Sequence, residues 1–545
     1  MHPGGVESIG SAVLVIGSGT AGLRAAIAAR RRGADVLLVS ESPTGFRSNS
    51  AISRAVFATS GVWTEAGDSP DAHREDIISG GRKVGDPGLV AAVTRGIREQ
   101  VDDLQEFGVE LQRREDELRV GRAPGHSFPR HLSVAENRGI NITRPMRHYA
   151  VEIGVHFLEG VQVIRLVRDG DRVAGALGID PRGQVYAVSA GATVLATGGA
   201  GRVYLRTNNA VGTTGDGYAL AYEVGVTLRD MEFVQFYPTA WSADGGKMCF
   251  YEGLLPLGAT IRNALGEDIL ARYGLGDFGM VTRDRLARTI MTEIIEGRGI
   301  DGCVLFDLST VPEERAPALP AVRRMSQSVM LDRVLVAPTV HFFMGGIRIA
   351  ADSGTGVPGL FAAGEVCGGV HGANRLGGNA ISETLVFGTI AGEHAAAFSA
   401  ANGSPAFTAD EVDAGVGWLK ELAAGSRHEG VEGLWQSLRR TMWDRAGVIR
   451  DSAGLERALD EIQELRAQLG AASLTDSRAI YQAAKLSKAL TVGEMVCRAA
   501  LMRTESRGAH YRSDHPGEDD RNWLKTVEIH RRDGEMVLTA VPIAA

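Results

Sequence analysis

The sequence predicts an α/β chain in which a Rossmann-like nucleotide-binding domain is interrupted by an insertion and followed by a helical domain. Three observations carry that reading. A short apolar run, Ala12 to Ile16, leads directly into Gly17-Ser18-Gly19-Thr20-Ala21-Gly22 and an Ala- and Arg-rich helix. Strand-then-glycine segments recur near residues 15, 195 and 362, so one nucleotide domain is assembled from separated pieces of chain. From about Ala401 the pattern turns to amphipathic stretches, with Leu455, Leu459, Ile462 and Leu465 at helical spacing among charged residues.

The helix opened by the first glycine run extends through Arg31 and ends at Gly33. A second strand, Ala34 to Ser40, completes a βαβ unit, and Ser40-Glu41 stands about 20 residues past the glycines, where a ribose contact is expected. Lacking a Cβ, Gly17, Gly19 and Gly22 permit the tight turn and let backbone N–H groups and the helix N-terminal dipole approach a pyrophosphate. The plainer reading of the same glycines is a turn that lets the helix lie close on its strand. Alternating apolar residues from Val161 to Ile179 predict hairpin strands. Ala192 to Gly201, and Gly359 to Gly364 with Glu365 behind it, are the second and third strand–glycine elements. The insertion falls roughly between Glu232 and Gly345. The helical region reaches about Arg507, and a final strand-like pair around Val527 and Val537 brackets Asp533-Gly534.

Composition narrows the function. Lys plus Arg is 58 and Asp plus Glu 66, so the net charge is −8 and the basic footprint of a nucleic-acid binder is missing. Glycine supplies 70 of 545 residues, against a usual share of about 7%, while the hydrophobic fraction is an ordinary 44%, which points to tight turns rather than disorder. No run approaches the roughly 20 apolar residues of a membrane helix, and MHPGGVESIG does not have the pattern of a signal peptide, so a cytoplasmic location is expected. Cys249, Cys303, Cys367 and Cys497 form no CxxC pair; neither a disulfide framework nor a zinc or iron–sulfur site in this chain is expected.

The motifs then fall in a telling order: GSGTAG, ATGGAGRVY with TTGDGYALAYEVG, DMEFVQFYPT, HFFMGG, AAGEVCGGVHGANRLGGNA and ESRGAHYRSDHP. Together, from about residue 11 to 525, they resemble the flavoprotein family of succinate dehydrogenase, fumarate reductase and L-aspartate oxidase. The resemblance implies FAD and an FAD-binding domain in two parts, 1–235 and 346–400, around an α+β capping domain at 236–345. A helical domain at 401–525 and a strand-like tail at 526–545 would follow. It implies hydride transfer between flavin N5 and a carbon next to a carboxylate. Carried over by position, Arg283 in TRDRLAR would transfer the proton, while His341 and Arg375 would hold a substrate carboxylate. A guanidinium can grip a carboxylate through two parallel charge-assisted hydrogen bonds, with histidine adding a third donor. Outside the family, Arg375 reads as a structural arginine, His341 as a core histidine and Arg283 as a fixed charge. Cofactor contacts are implied at Gly17, Gly19, Thr20, Ala21, Gly22, Ser40, Glu41, Ser48, Asn49, Ser50, Thr197, Gly198, Gly199, Asp216, Gly364, Glu365, Asn379, Ala380 and Ser382.

The departures from the family are specific. Where a Ser-His-Thr segment carries a flavin-bonded histidine, this chain has Ser48-Asn49-Ser50, and asparagine cannot form that bond, so non-covalent FAD is expected. Gln-Gly-Gly beside the flavin is Arg54-Ala55-Val56. VQFHPT is VQFYPT, placing Tyr237 at a histidine position, and the threonine-glutamate-glycine-x-arginine block is Tyr251-Glu252-Gly253-Leu254-Leu255. Glu252 is kept as a catalytic relay candidate, but the arginine is gone. Tyr237 and Tyr251 favour a ring, an amide or an apolar group over a second carboxylate. Relatives acting on urocanate-like or aryl acrylates share a tyrosine at the first position.

The expected function is FAD-dependent interconversion of a saturated and an α,β-unsaturated carboxylate, other than a simple C4 dicarboxylate, or of a closely related amine and imine, with a small-molecule carboxylate as partner and an unspecified electron donor or acceptor. Three alternatives stand beside it: an L-aspartate-oxidase-like amino-acid oxidase, a flavoprotein subunit feeding an iron–sulfur partner, and a non-catalytic flavin-binding relative.

Overall fold

The computed structural model describes residues 5–61, 67–115, 117–242, 249, 252–276, 281–312, 314, 332–403, 405, 409–425 and 430–543. A seven-stranded sheet forms the centre. Strand Glu7–Ile16 runs parallel between Val36–Ser40 and Val185–Leu195, and Leu360–Ala362 adds in parallel to the latter. Their Val/Leu/Ile-rich stretches are buried on both faces, as a helix-covered parallel sheet requires. The hairpin Gln162–Asp169 and Arg172–Ile179 closes one side, and His156–Glu159 the other. The second strand starts at Val36 rather than Ala34, because Gly33, at φ 86°, still belongs to the turn that ends helix Thr20–Arg31.

Helix Thr20–Arg31 lies against Asn379–Asn402, the long helix of the returning chain. Their backbones approach so closely at Gly392 that an added Cβ would stand 2.2 Å from the Ala25 carbonyl oxygen.

The inserted segment is built on an antiparallel four-stranded sheet ordered Val234–Trp241, Val334–Phe343, Val304–Asp307 and Thr260–Arg262. Helix Arg283–Ile295 covers it, and Ile261, Leu286, Ile290 and Phe306 belong to an apolar core of its own. Beyond residue 408 come helices Ala409–Ala423, Val431–Arg445, Ser452–Ala471 and Ser477–Met502, with Leu455, Ile462 and Leu465 turned inward and Leu459 half-buried.

The C-terminal hairpin, Lys525–Arg532 and Glu535–Pro542, turns at Asp533 (φ 51°) and Gly534 (φ 84°), the conformation a two-residue hairpin loop demands. It is not the separate tail the sequence suggests. Its first strand pairs with Leu228–Arg229 and so joins a five-stranded sheet with Gly346–Arg348 and Cys367–Gly368, since an isolated hairpin buries too little to stand alone. Buried Arg503 ties this end to the body, donating to Glu232 Oε1 at 2.6 Å. Among the described residues, no helix is long and apolar enough to cross a membrane.

Candidate active site

One cavity of about 1420 Å³ runs from the first glycine turn to the inserted segment. That exceeds the roughly 300–1,000 Å³ of a pocket for a single small ligand and leaves room for a dinucleotide and a second molecule. At one end Gly17, Ser18, Gly19 and Thr20 line it at the N-terminus of helix Thr20–Arg31. Gly17 has φ 116°, and a Cβ there would stand 2.2 Å from the Ala196 carbonyl oxygen, so only glycine lets the two strand ends meet. Ser50 Oγ holds the turn by accepting from Thr20 N at 3.1 Å. Thr20 Oγ1, Thr197 Oγ1 and Asp216 Oδ1 are buried without a hydrogen-bond partner, and all three residues line the cavity. Backbone amides, a helix N-terminus and orphaned polar groups fit a bound dinucleotide.

Glu41 also lines the cavity, and it is held from the helical domain, where Lys485 Nζ donates to its Oε1 at 2.6 Å. Asn49 bridges two walls. Its Nδ2 donates to Glu365 Oε2 at 3.1 Å and its Oδ1 accepts from Ala210 N at 2.8 Å. Burial lifts the Glu365 carboxyl to about 7, against the pull of the Phe343 amide and Asn49. Arg54, Ala55 and Val56 are at the wall as well, and Ala55 has φ 50°, a conformation that glycine adopts without strain.

Of the sequence-derived cofactor positions, Gly17, Gly19, Thr20, Ala21, Ser40, Glu41, Ser48, Asn49, Ser50, Thr197, Gly198, Asp216, Glu365 and Ala380 line the cavity. Gly22, Gly199, Gly364, Asn379 and Ser382 stand behind its wall. Added Cβ atoms at the three glycines would meet Gly17 O at 1.9 Å, Glu365 Oε1 at 2.3 Å and Ala21 Cβ at 2.8 Å. Asn379 Oδ1 is bonded to His73 Nε2 at 2.9 Å and Ser382 Oγ donates to Ala58 O at 2.6 Å, so these side chains brace the wall instead of facing the cavity.

The other end is made of side chains from four separated segments. Arg283 opens helix Arg283–Ile295, and its guanidinium lies over the Tyr237 ring, 4.9 Å from the centroid. Tyr237 meets the His341 ring edge-on at 5.4 Å. Arg375 lies over Phe342 at 4.5 Å and its Nη2 donates to Gln235 Oε1 at 3.0 Å. Arg283, His341 and Arg375, far apart in sequence, thus share one chamber. Burial first, then the charges of Arg375 and Arg283, push His341 well below its ordinary value, so its imidazole is neutral at physiological pH. Arg283 stands at the N-terminus of helix Arg283–Ile295, where the helix dipole adds positive potential to the chamber.

Leu255, the residue at the missing arginine's position, is buried in the core of the inserted segment, and Leu254 lines the cavity instead. Tyr251 lies outside the described residues, as does the side chain of Glu252. Sequence reasoning missed Gln235, whose signal was its place two residues before Tyr237 on one strand. It also missed Asn208, Asn374 and His131, which line the chamber but carry no sequence signal of their own. Of the two residues that could replace the missing charge from a shifted loop, Lys247 lies outside the described residues, and Arg262 donates to Gly266 O at the surface and is not on the cavity wall.

A family model described as an FAD binding domain matches residues 12–381, and one described as the fumarate reductase flavoprotein C-terminus matches 435–544. The chain belongs to this flavoprotein family, whose named members include fumarate reductase, succinate dehydrogenase and L-aspartate oxidase. It is 35% identical over 536 residues to an FAD-dependent oxidoreductase of Methanocaldococcus jannaschii, covering 95% of this chain and 96% of the relative. It is 34% identical over 525 residues to L-aspartate oxidase of Halobacterium salinarum, covering 93% and 97%. A solved E. coli quinol fumarate reductase FrdA variant superposes with a TM-score of 0.90 at 27% identity, covering 99% of this chain and 97% of that one. The flavoprotein is therefore an FAD-dependent oxidoreductase.

Proposed function

We propose that this flavoprotein binds FAD non-covalently and interconverts a saturated and an α,β-unsaturated monocarboxylate whose far end is a ring, an amide or an apolar group. The observation that carries the reading is the convergence of Arg283, His341 and Arg375 on Tyr237 and Leu254, in the same cavity as the glycine cradle. Gly17, Gly19, Thr20 and Glu41 would hold the nucleotide part of FAD, and the flavin part would face Asn49, Ala55 and Glu365. When bound, FAD supplies the two-electron carrier for hydride transfer. Arg375, fixed by Gln235 and Phe342, and neutral His341 bind the carboxylate and polarise the neighbouring double bond. Arg283 gives or takes the proton at the adjacent carbon. The inserted segment supplies Tyr237, Arg283 and His341 to the cavity wall.

The test is anaerobic flavin absorbance with a panel of enoates and saturated acids, which needs no knowledge of the acceptor. Aryl or amide enoates are expected to reoxidise the reduced flavin, and a panel with no response overturns the proposal. Acid precipitation should release intact FAD, because Asn49 stands at the bonding position and its amide is committed to Glu365 and Ala210. Flavin left on the denatured chain refutes non-covalent binding.

A second reading, a flavoprotein that passes electrons to an iron–sulfur partner, draws on Phe46, Ile52 and Val211. These apolar side chains are exposed on the rim of the cavity. Co-purification of an iron–sulfur protein from the source cells decides it.

A further inference from the structure

We infer that Asn208 and Asn209 set the tautomer of His341, fixing its proton on Nε2 so that a neutral imidazole can donate to the substrate carboxylate. The inference rests on the carboxylate-binding role proposed above and adds two positioning residues to it. The starting point is an atom of known role, the His341 backbone carbonyl oxygen, which can only accept. Asn209 lies 2.9 Å from it and must present Nδ2. The same Nδ2 faces Asn208 at 3.1 Å, so the atom of Asn208 that meets it is Oδ1. Asn208 then turns its Nδ2 the other way, to Cys249 Sγ at 3.0 Å and to His341 Nδ1 at 2.9 Å. Two N–H bonds meet two acceptors. The reversed amide would set the NH2 groups of Asn208 and Asn209 against each other.

His341 Nδ1 is thereby an acceptor. Asn208 Oδ1 is also near it, at 3.2 Å, but Nδ2 at 2.9 Å is the nearer atom and the one that sets the contact. A neutral imidazole carries one proton, so that proton sits on Nε2, the nitrogen left for a ligand. This matters because His341 is held neutral: the charged groups around it are Arg375 and Arg283, with the Tyr237 ring edge-on, and both arginines oppose a further positive charge. With the proton on Nδ1 instead, Nε2 would aim a lone pair at a carboxylate.

The experiment uses FAD-loaded protein with 15N-labelled histidine, assigned with a His341→Gln spectrum. The wild type is expected to show His341 Nδ1 bare and Nε2 protonated, and Asn208→Asp to show the reverse, because an aspartate accepts from Nδ1–H. Cinnamate, followed by its perturbation of oxidised-flavin absorbance, should bind the wild type with an affinity flat from about pH 6 to 8. Binding to Asn208→Asp should be about tenfold weaker at the upper end and recover as pH falls and the imidazole gains a second proton. Asn208→Leu, which merely deletes the partner, should weaken binding without the pH slope. A protonated Nδ1 in the wild type overturns the inference. So does an Asn208→Asp protein with the wild-type 15N pattern and affinity. If neither cinnamate nor acrylate perturbs the wild-type flavin, the carboxylate reading fails, while the 15N pattern still decides the tautomer.

Discussion

The two ends of the cavity are made of different material. The nucleotide end is backbone: a glycine turn, a helix N-terminus and strand ends, most of it from one contiguous βαβ unit. The reacting end is side chain: Asn208, Tyr237, Arg283, His341 and Arg375 arrive from separate stretches, three of them on the inserted segment. A backbone site tolerates almost no change at its glycines but says little about the ligand beyond its phosphates. A side-chain site can be retuned one residue at a time, and the departures that the sequence shows from the family's motifs fall there and where the flavin would bind.

The largest expected effect is at the backbone end. Gly19→Val should abolish FAD retention while the helical content persists, because its side chain would enter the pyrophosphate space from a conformation valine can adopt. Gly17→Val is the less informative variant, since it also clashes with Ala196 and would damage the fold. Normal flavin content in Gly19→Val, read from absorbance with circular dichroism as control, would break the comparison at its stronger end.

Next comes catalysis. Arg283→Gln should lower kcat by roughly 10² to 10⁴ and leave carboxylate affinity within a few-fold, the pattern of a lost proton donor. Arg375→Gln should weaken affinity and turnover together, because in the proposed role it would grip the carboxylate in ground and transition states alike. If Arg283→Gln weakened binding alone, Arg283 would be an electrostatic clamp. At the distal side, Tyr237→His should raise kcat/KM for fumarate or succinate relative to an aryl enoate by about tenfold, about 1.4 kcal/mol. No gain, or a wild type already favouring the dicarboxylate, would remove Tyr237 as the specificity element.

A cluster of three buried histidines, one of which, His131, lines the cavity, offers a pH test. Burial holds His73, His126 and His131 at about 4, against 6.5 when free. A base whose pKa is lowered by folding is stabilising above its unfolded value, and that stability is lost as pH falls through the folded one. Each should therefore withdraw up to about 3 kcal/mol between pH 6.5 and 4. Glu232 and Glu365, lifted to about 7, push the opposite way, so the informative quantity is a difference. The gap in Tm between wild type and His126→Asn should change in favour of the variant on acidification, and a constant gap would count against neutral burial of His126. The smallest effect is at Ala55. Ala55→Gly relieves a positive φ but frees the unfolded chain and empties a buried methyl site, and should change stability by less than about 1 kcal/mol. A larger gain would mean that the wall beside the flavin stores strain.

Much of this is legible in the sequence for a physical reason. The glycine turn, the βαβ unit, the hairpin at 162–179, the amphipathic helices and the Asp533-Gly534 turn are all local, so a few neighbouring residues suffice to specify each. Motif order likewise brings Arg283, His341 and Arg375 forward as candidates. Tertiary structure decided what depends on which face a residue turns. It put Leu254 rather than Leu255 on the cavity, set Asn379 and Ser382 behind the wall, and drew the C-terminal hairpin into a sheet begun some 300 residues earlier. It alone joined Asn208 and Asn209 to His341, across 133 and 132 residues of chain. Adjacent residues point in opposite directions in a strand and about 100–120° apart in a helical turn, and a hydrogen bond between distant segments leaves no periodicity in either of them. Local pattern and motif order therefore bring the cradle and the candidate residues forward, while the proton's place on one imidazole nitrogen exists only once the chain has folded.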